Sequence, residues 1–131
     1  MQKLSDYSAL LGRILIATLF VTAGFGKITG YAGTAGYMES MGVPGMLLPL
    51  VIALELGGGL LIIIGWQTRV AAFLLAGFCI LAALIFHHNF DDMMESILFM
   101  KNVAITGGFL FLVANGPGPI SIDARRQAAG G

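Results

Sequence analysis

Charged residues are scarce in this chain, and that scarcity excludes an ordinary soluble domain. Of its 131 residues, 11% are charged and 57% are hydrophobic, whereas roughly a quarter of the residues of a soluble domain are charged. The formal net charge is zero and no run of Lys or Arg is longer than the pair Arg125 and Arg126, so binding to nucleic acid through a basic patch is excluded. We therefore expect any function to lie in or beside a membrane.

Cysteine is equally scarce, since Cys79 is the only one. A single cysteine cannot form an internal disulfide or a CxxC redox pair. The sequence also contains no recognisable flavin, haem-pair or iron–sulfur motif. In redox chemistry the chain is therefore expected to serve at most as a subunit of a larger system, and the residues leave open whether it is an enzyme.

What the sequence has in abundance is long apolar segments. About 20 apolar residues in a helix cross the roughly 30 Å hydrocarbon core of a bilayer, and four such segments occur. The glycines and Pro44 between the first two segments argue against another span, and the polar tail is expected to be flexible. We predict an all-α integral membrane four-helix bundle in a single domain, with spans at about 8–28, 46–66, 70–87 and 97–115 and a cytoplasmic tail at 116–131.

The two ends of this bundle differ in charge. Four spans place both termini and the second loop on one side, which carries most of the cations: Lys3, Arg69, Arg125 and Arg126, with Arg13 near them. The opposite loops carry carboxylates: Glu39, Asp91, Asp92 and Glu95. By the positive-inside rule both termini face the cytoplasm. The predicted location is a bacterial cytoplasmic (inner) membrane, crossed several times.

Several ionisable residues fall inside the predicted spans. A charge at the centre of a bilayer costs at least a few kcal/mol, so such residues normally face a partner or a cavity. Glu55 is the only charge of the second span, and we predict Lys101 as its main partner, because both lie below the acidic side. The candidate catalytic residues are Glu55 and Lys101, and the candidate ligand-binding residues are Arg13, Lys27, Glu55, His87 and Lys101.

The same residues also fit a purely structural role. Arg13 and Lys27 share one face of the first helix with Ala17, Phe20 and Gly24, so either cation could complete an ion-pair network that fixes the helix register around Glu55. His87 is expected to face inward and His88 to point elsewhere. Two histidines at one helix end do not build a closed site, and no metal site is predicted.

The order of several short motifs resembles the DoxX family of small four-helix membrane proteins. The motifs are the GR entering the first span, AGFGKITGY at its exit, the connector ending in GVP, LELGGGLLIIIGWQTR, and the closing GPGPISIDARR. The resemblance covers nearly the whole chain and implies an association with subunits of quinone-linked oxidoreductases and with oxidative or thiol stress. The positions that match its motifs are Arg13, Gly24, Lys27, Glu55, Gly58 and Gly59.

Function divides into different classes at this point. The first is a redox-linked subunit that binds a quinone-like molecule near the acidic side, with a lysine donating to the ligand and Glu55 relaying protons. The second is a non-enzymatic assembly or scaffold protein, and the third is small-solute or proton-coupled transport by an oligomer. The expected partners are the lipid bilayer, oxidoreductase or other membrane subunits, and further copies of this chain. No cofactor beyond a quinone is indicated.

Overall fold

The computed structural model describes residues 1–130 and shows four long helices and two short ones. The long helices are α1 (Gln2–Thr29), α3 (Gly45–Ile64), α4 (Thr68–Phe86) and α5 (Met93–Asn115), and each is long and apolar enough to cross a membrane. The short helices are α2 (Tyr31–Ser40) and α6 (Ile122–Gly130). Residues 1–130 contain no β-strand. The predicted all-α four-helix membrane fold is confirmed, whereas the orientation of the termini stays a prediction.

The distribution of large apolar side chains is that of a protein surrounded by lipid. Small residues fill much of the buried core, including Ala17, Ala72 and Ala76. Large ones point outward instead, and the exposed fraction reaches 64% for Phe73 and 73% for Phe111. Because lipid tails are as apolar as Leu or Phe, helices in a membrane gain most from close packing of small residues. The interior is therefore closely packed with small side chains rather than filled with large apolar ones.

Glycines bring α1 and α3 together. A Cβ on Gly24 would lie 2.9 Å from the backbone nitrogen of Leu56, and one on Gly59 would lie 3.2 Å from the carbonyl oxygen of Ala17. Neither backbone can move aside cheaply. The two helices are consequently in close contact next to the position where Glu55 enters the bundle.

Two helix ends differ from the sequence prediction. The helix α5 begins at Met93, because the Asp92 carboxylate accepts a hydrogen bond from the Met94 backbone nitrogen at 2.9 Å and caps it. The α1 helix extends back to Gln2, before the apolar run starts. We call the end of the bundle with α2 and the α4–α5 loop the acidic end, and the end with the α3–α4 turn and the tail the terminal end.

Candidate functional site

A cavity of about 490 Å³ opens inside the bundle at the acidic end. Its walls come from α1, α3 and α4, the short helix α2 lies across it, and α5 contributes Asn102. The lining is mostly apolar with few polar groups, which is the usual composition of a small-molecule site. A second depression of about 590 Å³ lies at the terminal end beside the tail. It is more open and contains none of the predicted site residues. The first cavity is therefore the candidate functional site.

The deepest polar group of the cavity is a buried ion pair. Lys27 Nζ lies 2.6 Å from Glu55 Oε1, with 4% of the Glu55 side chain and 27% of the Lys27 side chain exposed. Glu55 sits in a π-helical turn, Ala53–Gly57, within α3. Such turns insert one residue into an α-helix and occur often at functional sites. The extra residue shifts the helical register at the position where the carboxylate turns into the bundle.

Lys101 does not take part in this pair. The predicted Lys101–Glu55 contact is wrong, because Lys101 is exposed on α5, does not line the cavity, and forms no ion pair within residues 1–130. Its neighbour Asn102 faces inward instead and donates from Nδ2 to the Cys79 carbonyl at 3.1 Å. Successive residues of a helix differ by about 100° in direction. The inward register of α5 therefore passes through Asn102.

The inward face of α5 can be predicted from its uncharged polar residues, but not from its charged one. Thr106 lies one turn after Asn102 and its hydroxyl approaches the Ala76 carbonyl of α4 at 3.5 Å, while it also donates to Asn102 at 2.8 Å. A polar pair four residues apart marks one face of a helix. The uncharged pair identified the inward face of α5, and the lysine did not.

His87 lies at the rim of the cavity, as the inward direction predicted. Its Nδ1 lies 3.1 Å from Glu95 Oε2, and its side chain is partly exposed. His88 is exposed next to it. Within residues 1–130 no cluster of His, Cys, Asp or Glu has the arrangement of a metal site. His87 thus joins the cavity to the carboxylates of the acidic end.

Arg13 is buried 14 residues before Lys27 on α1, and it makes a different set of contacts. Its guanidinium donates to the carbonyls of Ile62 and Ile63 at 3.1 and 3.0 Å, and to those of Pro117 and Ile120 at 2.7 and 2.8 Å. The first two are free carbonyls at the C-terminus of α3, where a cation is favourable. The prediction that Arg13 completes a network around Glu55 is wrong, because its donors are used at the terminal end.

The tail is folded against the bundle where its composition predicted flexibility. Asp123 accepts hydrogen bonds from the backbone nitrogens of Gln67 and Thr68 at 2.8 and 2.9 Å, and so caps the start of α4. Its own backbone nitrogen donates to the Gly65 carbonyl at 2.8 Å. The closing GPGPISIDARR motif therefore packs on the α3–α4 turn, and its polar groups are the reason.

Asp123 is held in its ionised form by these contacts. Partial burial alone would raise the pKa of its carboxyl. The hydrogen bonds from Thr68 and Gln67 and the positive charge of Arg126 outweigh burial, so the pKa lies below its ordinary value. The terminal end is thus stabilised by a carboxylate as well as by Arg13.

Four apolar helices around a small internal cavity define a multi-pass integral membrane protein of compact four-helix type. Residues 8–88 match the DoxX family, and the chain belongs to that family. The resemblance seen in the sequence motifs is therefore confirmed. The matched region includes Lys27, Glu55 and His87, whereas Asn102 lies beyond it.

Two relatives are similar over most of the chain. The inner membrane protein YqjF of Escherichia coli (strain K12) is 58% identical over 94% of this chain and 95% of its own length. The inner membrane protein YphA of the same organism is 39% identical over 88% of each chain. With four membrane-spanning helices, these similarities make the chain a multi-pass protein of the bacterial inner membrane.

A third relative is more distant. The protein named "Putative oxidoreductase CatD" of Bacillus subtilis (strain 168) is 33% identical over 58% of this chain and 57% of its own length. No solved structure matches this chain.

Proposed function

We propose that the cavity at the acidic end binds the headgroup of a quinone or quinol, and that the protein is a membrane subunit of a quinone-linked redox system. The observation that carries the proposal is the Lys27–Glu55 pair in a mostly apolar cavity. A cavity of about 490 Å³ falls within the roughly 300–1,000 Å³ of small-molecule sites. The name of the CatD relative supports a redox role.

The chemistry of the pair suits this ligand. Reduction of a quinone to a quinol adds two electrons and two protons. An ammonium group such as that of Lys27 can donate a hydrogen bond to a quinone carbonyl, and the Glu55 carboxyl can take up or release a proton beside it. His87, which lines the cavity, contacts Glu95 at the acidic end. Because the sequence contains no electron-carrier motif, the electrons come from a partner redox protein.

Assembly with other subunits is a second candidate, favoured by one observation. Lys101 is exposed on α5 inside a membrane-spanning helix and has no ion pair within residues 1–130. A charge in that position needs a lipid headgroup or a partner. Assembly is compatible with quinone binding, since the proposed redox role itself requires a partner.

The test is quinone content and quinone affinity of the purified protein. Glu55→Gln keeps the shape of the side chain. In that variant Lys27, which is partly exposed, can place its charge in the lipid headgroup region instead. Loss of a charged hydrogen bond is worth about 1.5–3 kcal/mol, so affinity should fall about ten- to hundredfold. We expect Glu55→Gln and Lys27→Gln to lose copurified quinone, measured by lipid extraction and mass spectrometry, and to bind decylubiquinone more weakly in nanodiscs.

Lys101→Gln is the matched control, because it removes a lysine from a spanning helix without touching the cavity. It should retain wild-type quinone binding. Glu55→Gln protein that is folded and binds quinone as tightly as the wild type would show that the pair is structural. A quinone-free wild type with a stable copurifying partner would favour assembly instead.

A further inference from the structure

Six side chains that line the cavity are also exposed: Leu19 on α1, Tyr37 on α2, and four on α3 and α4. On α3 these are Leu47 and Leu50, which are 42% and 69% exposed, and on α4 they are Leu81 and Ile85, which are 60% and 36% exposed. Because the two pairs on α3 and α4 lie on neighbouring helices, their exposure marks an open stretch of the cavity wall between these helices. Since these helices are surrounded by lipid, the opening faces the hydrocarbon of the bilayer.

The four residues form the two edges of one slot. Leu47 and Leu50 are three residues apart on α3, and Leu81 and Ile85 are four apart on α4, so each pair follows one helix face. Nearer the centre of the bundle the two helices are in contact, because a Cβ on Gly58 would lie 3.3 Å from the Leu75 side chain. The slot therefore begins beyond this contact and runs toward the acidic end.

The aqueous side of the same cavity is partly covered by α2, although Tyr37 is 49% exposed there. Thr34, Tyr37 and Met38 of α2 line it, and the Tyr37 ring stacks on that of Phe86 with centroids 5.5 Å apart. A ligand arriving from water would have to pass beside this contact. A ligand dissolved in the bilayer meets only Leu and Ile side chains at the slot.

We propose that the slot between α3 and α4 admits a ligand sideways from the bilayer and holds its hydrocarbon chain, while the headgroup reaches Lys27 and Glu55. The inference rests on the proposed function and narrows the substrate class to amphiphiles with a compact polar head and a long apolar tail. The polar groups lie at the closed end and the apolar side chains at the open end, so such a molecule enters head first. Its tail remains in contact with lipid.

The experiment compares a tailed and a tail-less quinone in nanodiscs containing the full chain. The probes are decylubiquinone and the corresponding dimethoxy-methyl-benzoquinone without a tail. Leu81→Trp places a large ring in the slot at a position already exposed to lipid. We expect it to weaken decylubiquinone binding about tenfold or more and to leave the tail-less quinone within about twofold of the wild type, because the headgroup site is intact.

Leu84→Trp is the matched control, since Leu84 is 56% exposed on the same helix and does not line the cavity. It should bind both quinones as the wild type does. Leu50→Trp, on the opposite edge, should reproduce the effect of Leu81→Trp. Agreement between the two edges would separate blockage of the slot from local damage to α4.

Other outcomes overturn the inference. If Leu81→Trp and Leu50→Trp leave decylubiquinone binding unchanged, or weaken both quinones equally, the tail does not lie in the slot. If Leu19→Trp alone blocks the tailed quinone, entry is past α1, where Leu19 is also exposed and lines the cavity. If the wild type binds neither quinone, the proposed function fails as well, which distinguishes that failure from failure of the slot alone.

Discussion

Arg13 and Lys27 lie on one face of α1 and nevertheless serve different parts of the molecule. Arg13 donates only to backbone carbonyls at the terminal end, whereas Lys27 pairs with a carboxylate at the acidic end. Helical spacing predicted that both side chains point inward. It could not predict the partners of Arg13, because backbone carbonyls leave no trace in a sequence.

Asp123 offers a test at the scale of one residue. Its two oxygens accept from two backbone nitrogens, and an amide has only one oxygen to do so. We expect Asp123→Asn to lower the free energy of unfolding by about 1 kcal/mol at neutral pH, as loss of a helix cap does. The measurement is thermal unfolding in detergent micelles.

The pH dependence of this effect has a definite sign. Because the pKa of Asp123 is lowered in the folded protein, its stabilisation is complete above the ordinary aspartate pKa of about 3.9 and is lost as pH falls through the folded-state value. The difference between wild type and Asp123→Asn should therefore shrink in acid below about pH 4. Asp91→Asn, in the exposed loop, is the control. If the two proteins differ equally in stability at neutral pH and below about pH 4, the stabilisation does not come from the Asp123 carboxylate.

At the scale of whole elements, the pairing of α1 with α3 depends on glycines. A Cβ on Gly24 meets the backbone of Leu56, whereas one on Gly26 meets nothing within 4 Å. We expect Gly24→Ala to destabilise the fold by about 1–3 kcal/mol through overpacking. Gly26→Ala should be neutral or slightly stabilising, because alanine favours a helix by up to about 1 kcal/mol over glycine.

These two variants are compared by unfolding in mixed micelles and by quinone binding. Gly24→Ala pushes α1 away from α3 at the level of Glu55, so it should also weaken quinone binding, while Gly26→Ala should not. Equal stability of both variants would mean that the helices are not in contact at Gly24.

The boundaries of some elements could not be predicted from the sequence. The apolar runs were sufficient to predict four helices, because lipid imposes a fixed length on each span. They could not locate the π-helical turn at Glu55 or the helix α2 inside a glycine-rich connector. The start of α5 could have been found from Asp92 followed three residues later by Glu95, which is typical of a capped helix. The charge of Lys101 predicts the wrong inward face of α5, because that face is marked by the uncharged residues Asn102 and Thr106.

The orientation of the whole molecule stays a prediction from charge. More cations at the terminal end and more carboxylates at the acidic end place both termini in the cytoplasm. In intact cells a membrane-impermeant maleimide should label His88→Cys and should label Gln127→Cys only after the membrane is opened. The wild type provides the background, since Cys79 is 2% exposed. The reverse labelling pattern would place the cavity in the cytoplasmic half.

The contacts of Arg13 bear on how the chain is made. Two of the carbonyls that accept hydrogen bonds from its guanidinium belong to Pro117 and Ile120, which lie 104 and 107 positions later in the chain. While the protein is being synthesised and inserted, those acceptors do not yet exist, and the first helix carries an incompletely solvated cation. The first helix therefore reaches its final set of hydrogen bonds only after a segment that is made much later has folded against it.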